Sequence, residues 1–207
     1  MRIFLTGGSS GIGLATYDLL RNVHDVYAPR SDEFSLGDFS KIDSYDFSEY
    51  DVIINCAARN KGTHQGLFEN SWQNQVEQIN VNYTGALILA KRYLQCRESG
   101  QLVFVTSTSI DIPKAYNIFM ASSKAALRFS LDVLRKEYPA FRITEVAPDK
   151  TKTNMLFQNY EDRKTKDEIE DEYNKTATLS AMEVASCIRL SLEHPIDKIT
   201  ISPHTLK

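Results

Sequence analysis

The 207-residue sequence has no long hydrophobic run, and this absence bears on its location. No segment reaches the roughly 18 consecutive apolar residues that a membrane-spanning helix needs. The apolar start at residues 1–5 runs straight into a glycine turn, without the long apolar region and the cleavage site of a signal peptide. We therefore expect a cytoplasmic protein with no membrane partner.

Cysteine and histidine are also few, and positive charge is not in excess. The three cysteines lie far apart and form no Cys-x-x-Cys pair, which favours reduced thiols over a disulfide framework or a zinc site. The four histidines are scattered, so we expect no metal site. The formal net charge of −3 argues against a nucleic-acid partner, which usually requires a basic face.

The sequence does contain a regular alternation of short apolar runs and longer helical patterns. This alternation predicts an α/β fold built from βαβ units, namely a Rossmann-type, doubly wound parallel sheet in three αβα layers. Strands are predicted at residues 2–6, 25–28, 34–36, 51–57, 101–106, 141–147 and 198–202, the one at 34–36 being weak. Helices are predicted at residues 11–21, 40–47, 71–97, 119–138 and 180–193, the last with Ser180 and Glu183 as a capping box.

No repeat or interdomain linker interrupts this pattern, so we expect a single domain over residues 1–207. Residues 149–178 are rich in Lys, Asp, Glu and Asn, which predicts a mobile excursion with some helix. Such an excursion is typical of a lid over a substrate pocket. Its charges either solvate the lid or recognise an anionic substrate, and the sequence leaves both interpretations open.

A glycine-rich segment, Thr6–Gly13, follows the first predicted strand and opens the first predicted helix. Gly7 permits a sharp turn, Gly11 lets the backbone approach a pyrophosphate, and Gly13 allows close packing of helix on sheet. The N–H groups at the helix N-terminus also favour phosphate. The other residues of this turn that we expect to contact a cofactor are Ser9, Ser10 and Ile12. Because the segment lies directly between a strand and a helix, it predicts a dinucleotide-binding site.

Arg30 follows the second predicted strand, about 20 residues beyond the glycine turn. In NAD-specific sites an acidic residue at this point binds the ribose hydroxyls, whereas a guanidinium suits the 2′-phosphate of NADP. The sequence therefore favours NADP as the cofactor. NAD is the alternative, because Asp32 or Glu33 nearby would serve its ribose.

Further short motifs and single residues follow along the chain. In order, these are Asp38 with Phe39, Asn55-Cys56-Ala57-Ala58, Asn82-Tyr83-Thr84-Gly85, Ser107, Lys124, Pro148 and Thr153. Each motif alone is short, but their order and spacing together are specific. With the glycine turn, they resemble the short-chain dehydrogenase/reductase family along nearly the whole chain. Ala58 and Asp149 depart from the family pattern, since both stand where the family has glycine.

The resemblance implies a role for each of these residues. In catalysis, Ser107 would hydrogen-bond the substrate carbonyl, Asn82 would hold a water of the proton relay, and Lys124 would bond the nicotinamide ribose. In cofactor binding, Thr153 would contact the nicotinamide carboxamide. The remaining cofactor contacts implied are the adenine contacts of Asp38 and Phe39 and those of Asn55, Ala57 and Pro148.

The Tyr-x-x-x-Lys motif of the family is incomplete, because Met120 stands four residues before Lys124. Met120 lies 13 residues after Ser107, a common Ser-to-Tyr separation in the family, which supports this register. The family's tyrosine is a general acid, whereas a thioether has no acidic proton. Tyr116, about one helical turn earlier on the same face, is one replacement. The other interpretations are a different donor, such as water or a substrate group, or cofactor binding without turnover.

The leading interpretation is an NAD(P)-dependent oxidoreductase that moves a hydride between NADP(H) and a carbonyl or alcohol carbon of a small-molecule substrate. One alternative is a catalytically impaired dinucleotide-binding sensor or scaffold protein. Another is a nucleotide-sugar-modifying enzyme, for which the short C-terminal region leaves little room. In relatives the helices that begin near Ser71 and Phe119 form a dimer face, so the resemblance implies a homodimer or homotetramer. Packing on the sheet explains their apolar stripes equally well.

Overall fold

The computed structural model describes residues 1–60, 67–112, 115–155, 166–175 and 177–203 of the chain. Six of the strands in these ranges form one sheet: β1 (Arg2–Thr6), β2 (Asp25–Tyr27), β3 (Val52–Asn55), β4 (Gly100–Val105), β5 (Phe141–Pro148) and β8 (Lys198–Ile201). Two short strands, β6 (Thr151–Lys152) and β7 (Leu179–Ser180), form a separate parallel pair.

The strands of the large sheet lie in the order β2-β1-β3-β4-β5-β8, and every neighbouring pair is parallel. The order reverses at β1, because the chain first runs outward to β2 and then returns to the other side as β3. In doubly wound sheets, ligands bind in the crevice outside the carboxyl ends of the strands at such a switch point. The predicted doubly wound parallel sheet is therefore confirmed.

Helices cover both faces of this sheet, which confirms the predicted three layers. The helices are α1 (Gly11–Leu20), α2 (Phe39–Ser44), α3 (Trp72–Ile79), α4 (Ala86–Cys96), α5 (Ile118–Glu137), α6 (Lys166–Lys175) and α7 (Ala181–Glu193). On one face, α2, α4 and α5 pack against strand residues such as Phe4 and Phe104. On the other face, α1 and α7 pack against Ile3 and Val103. Neighbouring strand residues thus point to opposite faces, and both sets are buried.

The weak strand predicted at residues 34–36 is wrong. These residues belong to the connection between β2 and α2, and they pair with no strand. Phe34 and Leu36 are nevertheless buried in the core, where the Phe34 ring meets Phe4 edge-on at 5.0 Å between centroids. Their apolar character therefore reflects burial of a loop on the sheet face, and the sheet ends at β2.

The long helix predicted at residues 71–97 is present, but a wider turn divides it. Between α3 and α4 lies a π-helical segment, Asn80–Gly85. A Cβ atom on Gly85 would overlap the carbonyl oxygen of Leu36, so a glycine is needed for the buried connection to pass. The segment also carries Asn82, which is buried. Such π-helical turns are frequent at functional sites.

The other end of the chain agrees with the sequence pattern where the structure describes it. Ser180 caps α7 and forms the predicted capping box, in which the Ser180 N–H donates to a Glu183 carboxylate oxygen at 2.7 Å. The predicted excursion at residues 149–178 includes β6 and α6, while its residues 156–165 and 176 lie outside the described ranges. None of the described helices combines the length and the apolar character that crossing a bilayer requires.

Candidate functional site

A cavity of about 660 Å³ opens at the switch point of the sheet. Its lining joins the glycine turn after β1 with residues 56–60 after β3, and with segments after β4 and β5. The predicted site residues that line it are Gly7, Ser9, Ser10, Gly11, Ile12, Gly13, Ala57, Ser107, Lys124, Pro148 and Thr153. The predicted site residues outside the lining are Arg30, Asp38, Phe39, Asn55, Asn82 and Tyr116.

The glycine turn leaves its backbone open to the cavity. Gly7 has φ +74° and Gly11 has φ +53°, both in the left-handed region that favours glycine. A Cβ atom on Gly7 would lie 2.6 Å from the backbone nitrogen of Ala57, and one on Gly13 would overlap the Gly7 carbonyl oxygen. Side chains are therefore excluded where a phosphate has to approach the main chain.

The N-terminus of α1 differs from three other helix starts. Asp38, Ser71 and Ser180 each accept a hydrogen bond from the first turn of the helix that they cap. Ser10, the N-cap of α1, makes no such side-chain bond. The first-turn N–H groups of α1 are therefore not capped by that hydroxyl, and they lie where a bound phosphate would accept from them. This arrangement fits the pyrophosphate of a dinucleotide.

Arg30 points away from the cavity. Its side chain is 77% exposed, and its Nε lies 3.4 Å from an Asp32 carboxylate oxygen. The Arg30 backbone N–H donates to Glu33 at 2.9 Å, so both acidic residues proposed for NAD are engaged with Arg30. The neighbours Pro29 and Ser31 do line the cavity. A contact from Arg30 to a 2′-phosphate would thus require the side chain to leave Asp32 and rotate.

Asp38 and Phe39 have structural partners in this conformation. The Asp38 carboxylate accepts a hydrogen bond from the Lys41 N–H at 3.1 Å and so caps α2. Phe39 packs against the core on the α4 and α5 face. Gly37, directly before them, lines the cavity. The adenine contact of Asp38 and Phe39 stays a prediction, and the structure adds Gly37 to the candidates for that contact.

Asn55 lies beneath the cavity at the end of β3. Its Oδ1 accepts a hydrogen bond from the Thr6 hydroxyl at 2.5 Å, which joins the carboxyl ends of β1 and β3. Its Nδ2 is buried and has no hydrogen-bond partner in the described part of the chain. Ala57, two residues later, faces Gly7 across the turn. The Asn55–Ala57 segment therefore supports the glycine turn from below.

Ser107 lies at the cavity wall after β4, and its hydroxyl is 2.9 Å from the Ser109 hydroxyl. A buried ion pair stands behind it. The Arg128 Nε donates to Glu145 at 2.6 Å, and the Arg128 Nη2 donates to the Ser107 carbonyl oxygen at 3.3 Å. Thr106 also donates to Glu145, at 2.5 Å. This pair links α5 and β5 to the loop that carries Ser107.

Arg128 and Glu145 were not predicted as functional residues. One signal for them exists in the sequence: Glu145 is the one carboxylate of β5, next to the apolar run Val146–Pro148. A carboxylate in such a place needs a cationic partner, because burying an unpaired charge is costly. The sequence does not identify that partner, since Arg128 is 17 positions away on a different element.

Met120 occupies the cavity wall one helical turn before Lys124 on α5. Its Sδ lies 3.3 Å from Nδ2 of Asn82, and its carbonyl oxygen accepts from the Ser123 hydroxyl at 2.9 Å. The Asn82 side chain also clamps the backbone of Arg59, accepting from its N–H at 2.7 Å and donating to its carbonyl oxygen at 2.9 Å. Asn82 therefore holds two cavity walls together from behind the lining.

Lys124 is almost completely buried, with 2% of its surface exposed. Its Nζ donates to the Val105 carbonyl oxygen at 2.8 Å. Desolvation by burial lowers the pKa of Lys124 to about 8, against a small opposing effect of Cys56. Burial raises the pKa of the Cys56 thiol to about 12, so this neighbour is uncharged at neutral pH. Lys124 therefore brings an ammonium group with an easily lost proton to the cavity.

Tyr116 does not share a helical face with Met120, and this part of the prediction is wrong. α5 begins at Ile118, and Tyr116 precedes it with φ +63°. Its side chain is 55% exposed and does not line the cavity, although Ala115 and Asn117 do. The helical spacing argument fails here because the residues before Ile118 form a turn. Tyr116 as the replacement acid stays a proposal that needs a movement of this turn.

The side of the cavity beyond β5 closes against the glycine turn. Thr153 lies near Gly11, since a Cβ atom on Gly11 would be 3.2 Å from its methyl carbon. Pro148 ends β5 and also lines the cavity. In the described ranges no three His, Cys, Asp or Glu side chains lie close enough to share a metal ion. The three cysteines are free thiols.

Comparison with known families identifies the class of protein that this fold and cavity define. The short-chain dehydrogenase family model matches residues 40–164, which is more than half of the chain. The chain therefore belongs to the short-chain dehydrogenase family.

Three individual proteins that the chain resembles share between 18% and 30% sequence identity with it. A bifunctional ribulose 5-phosphate reductase/CDP-ribitol pyrophosphorylase from Haemophilus influenzae is 30% identical over 166 residues, a match of 74% of this chain and 34% of that protein. The chain thus spans about a third of the length of this curated relative. A small-chain dehydrogenase solved with NADPH superimposes with a TM-score of 0.85 at 18% identity, covering 98% of this chain and 96% of that chain. A serine dehydrogenase solved in its closed form with NADP⁺ gives a TM-score of 0.83 at 20% identity, covering 100% and 98%.

Proposed function

We propose that the chain binds NADP(H) and reduces the carbonyl group of a small-molecule substrate. The observation that carries this proposal is the convergence of the glycine turn, Ser107 and Lys124 on one cavity. Bound NADPH supplies the hydride in enzymes of this kind, and the protein contributes binding, orientation and polarisation.

The chain's own residues divide into a binding part and a reacting part. The open backbone of the glycine turn and the start of α1 bind the pyrophosphate. Thr153, beside Gly11, binds the nicotinamide carboxamide, and Lys124 binds the nicotinamide ribose. The Ser107 hydroxyl donates a hydrogen bond to the substrate carbonyl oxygen and so polarises it. Arg128 keeps the Ser107 loop in place from behind.

The proton for the product alcohol has to come from a group other than Met120. Lys124 lines the cavity and has a pKa of about 8, which suits proton donation near neutral pH. Tyr116 is the second candidate, after a movement of its turn into the cavity. Water that enters the cavity is the third, although the nearby Asn82 side chain and Ser123 hydroxyl are buried and hydrogen-bonded to each other at 3.4 Å.

The preference for NADP over NAD is part of the proposal, with Arg30 as the residue that binds the 2′-phosphate. Titration of NADPH and NADH against the natural protein and Arg30→Ala tests it. We expect Arg30→Ala to weaken NADPH binding by about tenfold and to leave NADH binding unchanged, since a charge-assisted bond is lost. An equal change for both cofactors would show that Arg30 does not read the phosphate.

The substrate is best sought among sugar phosphates. The reductase named for the Haemophilus relative acts on ribulose 5-phosphate, and the match covers most of this chain. The decisive experiment measures NADPH consumption with ribulose 5-phosphate, ribulose and a panel of simple ketones and aldehydes. Reduction of any of these compounds supports the proposal, and tight NADPH binding without turnover across the whole panel contradicts it.

One observation favours a second candidate function. Met120 removes the family's proton donor from the cavity wall while leaving the cofactor-binding elements in place. A dinucleotide-binding sensor or scaffold protein would need only those elements. Binding of NADPH without turnover is therefore the result that this second candidate predicts.

Self-association is also part of the proposal. α5 exposes Phe129 and Val133, and α3 exposes Val76. These apolar side chains lie outside the core, so packing on the sheet does not explain them. We propose that they meet a second copy of the chain in a homodimer or homotetramer.

A further inference from the structure

Arg59 stands in the cavity wall directly after the Asn55–Ala58 turn. Its backbone is fixed by Asn82, which accepts from its N–H and donates to its carbonyl oxygen. Because two side-chain hydrogen bonds hold this one residue, its side chain starts from a defined point at the end of β3. None of the motifs singled out in the sequence includes Arg59.

The Arg59 guanidinium has an incomplete set of partners. Its Nη2 lies 2.7 Å from a Glu77 carboxylate oxygen, and Glu77 also lines the cavity. Its Nε is buried and has no hydrogen-bond partner among the residues that the structure describes. A buried donor without a partner is uncommon in native proteins and calls for an explanation. A ligand that turns the guanidinium toward itself would supply the missing acceptor.

Arg59 lies close to the reacting end of the cavity. The Asn82 side chain that clamps its backbone also approaches the Met120 Sδ at 3.3 Å. One amide group thus separates the Arg59 main chain from the residue that stands in the place of the family's acid. The guanidinium extends from there to Glu77, so a ligand group held by Arg59 would share the cavity with a substrate carbonyl placed beside Ser107 and Met120.

The charge of the cavity favours an anion. The cationic side chains among its described lining residues outnumber the anionic ones, although the whole chain carries a formal net charge of −3. The cations are Arg59, Lys124 and Lys150, and the anions are Glu77 and Asp149. Glu77 is already paired with Arg59. A phosphate group suits such a site, because a guanidinium binds phosphate through two parallel hydrogen bonds.

We propose that Arg59 binds a phosphate group of the substrate and that Glu77 holds the guanidinium in place until the substrate arrives. This proposal rests on the proposed function, since it assigns a substrate to that site. A phosphate in this cavity has two sources, the cofactor and a phosphorylated substrate. The link from the Arg59 main chain through Asn82 to Met120 favours the substrate.

The test is a calorimetric titration of the NADP⁺-saturated protein with ribitol 5-phosphate, the alcohol that reduction of ribulose 5-phosphate yields, and with ribitol. Arg59→Gln keeps the backbone groups that Asn82 binds, and Arg97→Gln is a matched control. Arg97 pairs with Asp51 outside the cavity lining. We expect Arg59→Gln to weaken ribitol 5-phosphate binding by about tenfold or more, and Arg97→Gln to leave it unchanged.

Two further variants sharpen the test. Glu77→Gln keeps an oxygen that accepts from the guanidinium but removes a negative charge next to the phosphate, so we expect it to bind ribitol 5-phosphate at least as tightly as the natural protein does. Arg59→Lys keeps the charge but loses the planar fork, so we expect an affinity between those of Arg59→Gln and the natural protein. The NADP⁺ affinity should stay the same in all variants, which also shows that they are folded.

Three results would overturn the assignment: no binding of ribitol 5-phosphate to the natural protein, an unchanged affinity in Arg59→Gln, or a loss of NADP⁺ affinity in its place. The last result would mean that Arg59 binds a phosphate group of the cofactor and not one of the substrate. The proposed function fails separately. If Arg59-dependent binding of ribitol 5-phosphate is seen but no carbonyl compound is reduced, the phosphate site stands and the reductase does not.

Discussion

Gly11 is the residue at which cofactor binding depends most directly on backbone shape. Its φ of +53° strains any side chain, and a Cβ atom there would lie 3.2 Å from the Thr153 methyl group. We expect Gly11→Val to weaken NADP(H) binding by at least about tenfold, because the valine methyls take the space of the phosphate. The backbone strain should also cost about 1–2 kcal/mol of stability. Fluorescence titration and urea unfolding measure the two effects, and an unchanged cofactor affinity would contradict the assigned phosphate site.

Met120 stands where the family has its general acid, so it should limit the rate of the proposed reaction. General acid catalysis contributes about 10²–10⁴-fold, so the natural protein should reduce carbonyl compounds slowly unless another donor compensates. We expect Met120→Tyr to create or increase reductase activity, measured as NADPH consumption with ribulose 5-phosphate. Met120→Leu is the matched control, because it keeps an apolar side chain of similar size.

Tyr116→Phe completes the Met120 experiment. Tyr116 lies outside the cavity lining and is 55% exposed, so we expect this variant to keep the natural activity. A large loss of activity in Tyr116→Phe would instead make Tyr116 the acid. If neither the natural protein nor Met120→Tyr reduces any compound while NADPH still binds, the non-catalytic function gains support.

Lys124 should also shape how stability depends on pH. Its pKa falls from 10.5 to about 8 on folding, so the unfolded chain binds more protons between these two values. The stability cost of this buried ammonium is therefore fully present below about pH 8 and is relieved as the pH rises toward 10.5. We expect the natural protein to gain stability relative to Lys124→Met over that range, measured by urea unfolding at several pH values. A constant difference between the two proteins would contradict the lowered pKa.

At the scale of elements, the Arg128–Glu145 pair joins α5 and β5 behind the Ser107 loop. Without Arg128, the buried Glu145 carboxylate loses its partner at 2.6 Å and keeps the Lys198 ammonium at 3.8 Å, and breaking a buried pair commonly costs about 3–5 kcal/mol. We expect Arg128→Met to destabilise the fold by that order, and Arg128→Met with Glu145→Leu to recover much of the loss. Urea unfolding of the single and double variants measures this. If the single and the double variant are equally stable, the Glu145 carboxylate does not destabilise the fold when Arg128 is absent, and the prediction is wrong.

The helices and strands show which parts of the fold the sequence can predict and which it cannot. The order of helices and strands is visible, because each element carries its own apolar periodicity. The segment at residues 34–36 has the apolar composition of a strand, yet it is buried as a loop against Phe4. Likewise, the π-helical turn at Asn80–Gly85 ends at the glycine over which Leu36 passes, a contact between distant parts of the chain. Such features depend on tertiary packing, so no local pattern indicates them.

At the scale of the whole molecule, some residues of the candidate site can be predicted from the sequence and others cannot. The glycine turn, Ser107 and Lys124 are recognisable from motifs, and the structure brings them to one cavity. Arg59 is not recognisable, because its proposed role depends on contacts with Glu77 and Asn82, which lie on other elements. Arg30 has the expected place in sequence, but its partner Asp32 turns its side chain outward. The motifs thus predict the elements of the site better than the directions of its charged side chains.

Self-association is the prediction that belongs to the whole molecule. Phe129 is 71% exposed on α5, and Val133 lies one helical turn further along. We expect the natural protein to be a dimer or tetramer and Phe129→Glu to be a monomer, because a charge replaces apolar surface at the contact. Light scattering during size-exclusion chromatography measures the mass. Val23→Glu is the matched control, since Val23 is 67% exposed after α1, and a monomeric natural protein would refute the proposal.

The edge strands of the large sheet are short, and their length affects how two copies of the chain can meet. Its outer strands β2 and β8 contain three and four residues, whereas β5 in the interior contains eight. Pro29, shortly after β2, has no N–H to offer. Unpaired backbone groups along a sheet margin are a template on which another chain adds a strand, and natural proteins shorten that margin to prevent it. The edges of the sheet are therefore poor templates for strand addition, which leaves the helices as the surfaces for the proposed self-association.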